Sequence, residues 1–127
     1  FNWICRKKER MMNFFEGLDV GIDLVKIDRF KKIPFDENKS FYKKNFSEEE
    51  IGYCLNFEEP YKHFAGKFAI KEATMKAINK KIGLLQIKTY HDESKPKVSI
   101  INEEIDFKVS VSHDGDYAIA IVFSKIN

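Results

Sequence analysis

Long apolar runs are the first thing this chain lacks. None of its 127 residues falls in a stretch approaching the roughly 18 that a transmembrane helix needs, and 33% charged residues also argue against a membrane protein. Cysteine is scarce: Cys5 and Cys54 stand far apart with no third or fourth partner, which excludes a disulfide framework or a thiolate zinc site and fits a reducing compartment. A glycine-rich phosphate loop, an internal repeat and a Ser-x-Gly nucleophile elbow are all missing. A strong charge of one sign is missing too. Twenty-two basic against 20 acidic residues leave +2, too little to imply nucleic acid, yet enough cations exist to cluster around an anionic ligand.

What is present is a core. Hydrophobic residues make up 43% of the chain, 12 of them Phe, which suits one globular domain. The chain starts at Phe1 and its opening lacks the apolar centre of a secretory signal. Residues 1–17, with the basic run Arg6-Lys7-Lys8-Glu9-Arg10, read as an N-terminal extension, whether amphipathic helix, import remnant or added sequence. Residues 18–127 read as the single domain.

That domain is organised around Phe68-Ala69-Ile70-Lys71-Glu72-Ala73-Thr74-Met75-Lys76, inside a predicted helix from about His63 to Lys81. At roughly 100° per residue, Ala65, Phe68, Ala69 and Met75 fall within about 60° of Glu72, so a carboxylate sits in an apolar stripe. Such a group must be neutralised, paired or metal-bound. An i,i+4 ion pair with Lys76 is the plain alternative to a functional role.

Before this helix, Leu18, Val20, Ile22 and Leu24 alternate with Asp19, Gly21 and Asp23, the period of a strand with the aliphatic set buried and Asp23 on the opposite face. Lys26-Ile27-Asp28-Arg29-Phe30 leads into a turn or short helix with Arg29 on its surface, closed by Pro34. Ser47 and Glu50 form a capping box for a helix through Leu55, and its acidic first turn is explained by the helix dipole. Pro60 is expected to separate this helix from the next. Beyond Gly83, residues 85–90 and 98–101 read as strands with Lys95-Pro96 between them. Phe107 to Ser112 and Tyr117 to Phe123 form a hairpin with Asp114-Gly115 as its two-residue loop. His113 then closes a strand at the sheet rim, while His63 and His91 read as surface or helix-start residues. The expected fold is α+β, one antiparallel sheet packed by helices at about 47–56 and 63–81.

Three stretches in this order resemble the holo-acyl-carrier-protein synthase family of 4′-phosphopantetheinyl transferases: Gly21-Ile22-Asp23-Leu24-Val25-Lys26-Ile27, then Phe68-x-x-Lys71-Glu72-Ala73-x-x-Lys76 preceded by Ala65-Gly66-Lys67, then Val109-Ser110-Val111-Ser112-His113 followed by Tyr117-Ala118. Ile22, Lys26 and Lys67 replace the family's commoner Thr, Glu and Arg, and no presumed metal ligand is lost. The resemblance implies transfer of the phosphopantetheine arm of coenzyme A to a serine of an acyl carrier protein, in fatty acid synthesis, with release of 3′,5′-ADP. It implies Asp23 and Glu72 as Mg²⁺ ligands, Lys76 at the pyrophosphate, and His113 with Lys67 at the coenzyme A nucleotide. Glu72 and a metal-bound water are both open as the base. It also implies a homotrimer with His113 supplied by the neighbour of the chain that carries Asp23 and Glu72, and Arg29 facing the acidic carrier protein. The location it implies is cytoplasmic, or a plastid-type organelle if residues 1–17 are an import remnant. A non-catalytic coenzyme A-binding module and a small RNA-binding domain are the competing readings.

Overall fold

The computed structural model describes residues 14–126; Cys5 and the basic run at 6–10 lie outside them. The elements are β1 (Leu18–Lys26), α1 (Asp28–Lys31), a 3-10 turn (Phe35–Glu37), α2 (Lys39–Asn45), α3 (Glu48–Leu55), α4 (Pro60–Ile78), a second 3-10 turn (Leu84–Gln86), β2 (Ile87–Asp92), β3 (Lys95–Ile100), β4 (Ile105–Asp114) and β5 (Tyr117–Ile126). The class is α+β, as expected, but the single sheet divides in two: an antiparallel sheet in the order β1-β5-β4, and a β2-β3 hairpin. Pro96 lies inside β3, opposite His91, and not in the connection. A proline has no ladder donor and is tolerated at a sheet edge. The turn instead uses Glu93 and Ser94, whose φ angles of 50° and 68° suit a two-residue loop.

Helix α4 is the centre of the molecule. Pro60 is its first residue, where a missing N–H costs nothing, so the helix begins a turn before His63. It ends at Ile78 because Asn79 is left-handed (φ 53°, ψ 44°). The apolar stripe expected around Glu72 is in fact wider: between Phe64 and Ala77 every residue except Glu72 and Lys76 is buried. The helix lies over β5, whose inward Ala118, Ala120 and Val122 are fully buried. On its other side an aromatic cluster of Phe30, Tyr42, Phe46 and Phe64 ties α1 and α2 to it.

The alternation in β1 is real, but its faces are exchanged. Gly21 and Val25 are the buried positions, while Val20, Ile22 and Leu24 are 48%, 54% and 59% exposed. Closeness to α4 decides this: a Cβ on Gly21 would stand 1.9 Å from the Ala73 carbonyl oxygen, so only a face with no side chain there can meet the helix. The capping box of α3 is as expected, Ser47 Oγ accepting from Glu50 N and Glu50 Oε1 accepting from Ser47 N. At the last hairpin Asp114 pairs with Tyr117, so the loop is Gly115-Asp116, one residue later than expected. Gly115 takes the positive φ of 58°, and a glycine there needs no help from Asp114.

Candidate active site

Two clusters of functional side chains flank α4. On the β1 side, Asp23 points inward in the same row as Ala120, and its carboxylate, 16% exposed, accepts from Lys76 Nζ at 3.2 Å. Lys76 also donates to the Ile22 carbonyl oxygen at 2.9 Å. Strand β1 is therefore tied to the turn of α4 that carries Glu72. The Glu72–Lys76 ion pair considered from the sequence does not form: Lys76 is spent on Asp23. Glu72 is half-buried and has no hydrogen bond or ion pair among the described residues, so its oxygens are free. No group of three or more His, Cys, Asp or Glu able to hold a metal occurs among the described residues.

On the β4 side lies a cavity of about 210 Å³ lined by Tyr53, His63, Lys67, His91 and His113, among others. His113 shares a row with Ala118 and Val25, and its Nε2 hydrogen-bonds the Lys62 carbonyl oxygen at 2.9 Å. Gly66 makes room for it, since a Cβ there would meet His113 Nε2 at 3.1 Å. Lys67 is buried, 4% exposed, with its ammonium 3.0 Å from Thr89 Oγ1 and 4.7 Å from the Tyr53 ring. Burial holds its pKa below the ordinary lysine value.

Sequence reasoning missed two features here. His63 and His91 are not bystanders: His63 stacks on Phe57 at 3.7 Å and faces His113 at 6.2 Å, while His91 stacks on Tyr53 at 4.5 Å. Burial first, and then the nearby Lys62 and other imidazoles, push the His63 pKa down to about 4. Nor is Glu50 only a dipole partner. It is buried and paired with Lys71 Nζ at 2.7 Å, and the Lys71 ammonium also bonds the Asn45 and Leu84 carbonyl oxygens. The signal was there: a capping-box glutamate upstream, and a lysine directly after Phe68, Ala69 and Ile70 on the central helix.

The two flanks do not meet within one chain. At roughly 100° per residue, Lys67 lies about 140° around α4 from Glu72, and with β5 between them β1 and β4 stand about 10 Å apart. Arg29 is exposed on α1, its guanidinium 5.0 Å from the Phe68 ring.

Residues 19–122 match the model of the 4′-phosphopantetheinyl transferase superfamily. The holo-[acyl-carrier-protein] synthase of Thermodesulfovibrio yellowstonii is 37% identical over 107 residues, covering 81% of this chain and 94% of that protein. The chain belongs to this family.

A second holo-[acyl-carrier-protein] synthase, from Chlamydia trachomatis, is 35% identical over 117 residues, 84% of this chain and 98% of its own. Among solved structures, the Helicobacter pylori holo-[acyl-carrier-protein] synthase in complex with coenzyme A superposes with a TM-score of 0.72 at 32% identity, covering 81% of this chain and 96% of the other. The candidate residues from the sequence thus fall on opposite flanks of α4: Asp23, Glu72 and Lys76 on one, Lys67 and His113 on the other. No described helix is long and apolar enough to cross a membrane.

Proposed function

We propose that this chain is a Mg²⁺-dependent holo-acyl-carrier-protein synthase, moving the 4′-phosphopantetheine arm of coenzyme A to a serine of an apo acyl carrier protein and releasing 3′,5′-ADP. The observation that carries the reading is the pairing of Asp23 with the α4 turn bearing Glu72 and Lys76, the only two residues between Phe64 and Ala77 that are not buried. The donor set fits the metal. Asp23 and Glu72 supply hard carboxylate oxygens, no soft ligand joins them, and two carboxylates are what Mg²⁺ takes when phosphate oxygens and water complete its shell. When bound, Mg²⁺ polarises the phosphate and offsets its negative charge.

The serine hydroxyl gives its proton to Glu72 or to water as its oxygen forms a bond to the β-phosphorus, the bond from that phosphorus to the bridging oxygen breaks, and 3′,5′-ADP leaves with that oxygen. Such displacements are driven by positioning and charge stabilisation. Lys76, 56% exposed at its side chain, swings from Asp23 to the pyrophosphate and stabilises the departing charge. His113 and Lys67 bind the nucleotide. Because they face away from Glu72 on α4, a complete site takes His113 from one subunit and Asp23 with Glu72 from its neighbour, within a homotrimer. The exposed outer face of the sheet supports this assembly: Val20, Ile22 and Leu24 lie opposite Phe123, Ile121 and Ile119, an apolar patch of the kind that marks an interface. Arg29, exposed beside the site, would meet the acidic carrier protein and speed encounter. A cytoplasmic setting suits the buried free thiol of Cys54.

The test is mass. An apo acyl carrier protein incubated with coenzyme A, Mg²⁺ and this chain gains one phosphopantetheine arm, and chelation of the metal abolishes the gain. No added mass, with coenzyme A still bound, would leave a non-catalytic binding module.

A further inference from the structure

Two lysines one turn apart on α4 are buried in different ways. Lys71 is closed: Glu50 Oε1, the Asn45 carbonyl oxygen and the Leu84 carbonyl oxygen at 2.7, 2.9 and 3.0 Å take up all three of its N–H groups. Lys67 is open. Its hydrogen bonds go to Thr89 alone, at 3.0 Å to Oγ1 and 3.4 Å to the carbonyl oxygen, and its remaining side borders the cavity.

What holds Lys67 begins at Glu50. The Glu50 carboxylate is 3% exposed and Thr89 5%; Oε2 accepts from Thr89 N at 2.9 Å and from the Thr89 hydroxyl. A hydroxyl has one proton and two lone pairs. With that proton committed to an ionised carboxylate, the lone pairs are left to face the Lys67 ammonium. An isoleucine or valine at position 89 would leave Lys67 with only the longer carbonyl contact, and a buried ammonium short of acceptors moves or loses its proton.

We infer that Glu50, acting through the Thr89 hydroxyl, is a positioning residue that holds Lys67 facing the cavity for contact with the coenzyme A nucleotide. This rests on the reading of Lys67 as a nucleotide contact. Glu50 then has two tasks split between its oxygens: Oε1 fixes α3 to Lys71, and Oε2 orients the residue that orients Lys67.

The experiment measures steady-state transfer and 3′,5′-ADP binding for Thr89→Val, Thr89→Ser, Lys67→Met and the Thr89→Val/Lys67→Met double variant. Thr89→Val keeps the β-branched shape and the Glu50–Lys71 pair. It is expected to raise KM for coenzyme A and weaken 3′,5′-ADP binding about fivefold, with kcat within twofold, the pattern of lost uniform binding. Thr89→Ser restores both constants. In the Lys67→Met background, Thr89→Val has no further effect, because the two act on one contact. If Lys67→Met itself leaves both constants unchanged, the nucleotide reading of Lys67 fails. If Lys67→Met weakens binding but Thr89→Val does not, or the two losses multiply, the relay fails while that reading stands. Should Thr89→Val not fold, Thr89→Ala, which also removes the hydroxyl and leaves the Glu50–Lys71 pair in place, is used instead, with the same expected rise in KM; additive losses with Lys67→Met overturn the inference.

Discussion

Gly21→Ala tests how closely β1 must seat against α4. The added Cβ would lie 1.9 Å from the Ala73 carbonyl oxygen and 2.7 Å from Ala77 N. Both are backbone atoms of the central helix, which no rotamer change can move. To reach an ordinary contact of 3.4 Å, β1 must retreat from α4 by roughly 1.5 Å, and a close-packed interior resists that. Overpacking of this kind costs about 1–3 kcal/mol, which for a domain of this size lowers Tm by about 5–15 °C. The larger effect is on chemistry. Asp23 sits two residues along the same strand and is tied to Lys76 at 3.2 Å, so the retreat carries its carboxylate away from Glu72. A 1 Å misplacement of reacting groups costs about 100-fold in rate. Differential scanning fluorimetry and the carrier-mass assay measure the two effects on the same preparation. A Gly21→Ala protein with wild-type Tm and wild-type transfer would refute the packing argument and the link from strand position to site.

Three further outcomes follow from the structure. Lys76→Ala removes an ion pair whose lysine is 56% exposed, so stability measured by urea titration changes by less than about 1 kcal/mol, whereas transfer falls by at least about 100-fold. Lys71→Met strands the buried Glu50 carboxylate and is expected to cost about 3–5 kcal/mol by the same titration. An intact protein with unchanged stability would contradict the closed network. His63, its pKa pushed down to about 4 by burial, binds its proton more readily in the unfolded chain. Its contribution is therefore intact above about pH 6.5 and is lost as pH falls toward 4; His63→Phe, which keeps a ring on Phe57, should flatten Tm against pH over that window.

The parts of the fold with local signals were legible. Ser47 and Glu50 cap α3 because a capping box is written in four consecutive residues, and α4 followed from its composition. What was not legible depended on partners distant in sequence. Alternation in β1 defines two faces but not which one meets the helix, and the aliphatic set of Val20, Ile22 and Leu24 is exposed in the single chain. The choice rests on the close approach of Gly21 to Ala73, 52 residues on. Likewise, the tie between Asp23 and Lys76 spans 53 residues, and it replaced the local Glu72–Lys76 pair that spacing alone suggested. The histidine-lined cavity drew on α3, α4, β2, β3 and β4 together. His63 and His91 carry no motif, so nothing in the linear chain set them apart.

The central claim is that each chain presents two incomplete halves on opposite flanks of α4, joined only across a subunit boundary. Co-expressing Glu72→Gln with His113→Ala, each inactive as a pure trimer, tests it most directly. Random association at equal amounts should recover about a quarter of wild-type transfer, since one boundary in four joins an intact Glu72 to an intact His113 of the neighbour. Mixed trimers that form, as seen by native mass spectrometry, and still transfer nothing would contradict the account.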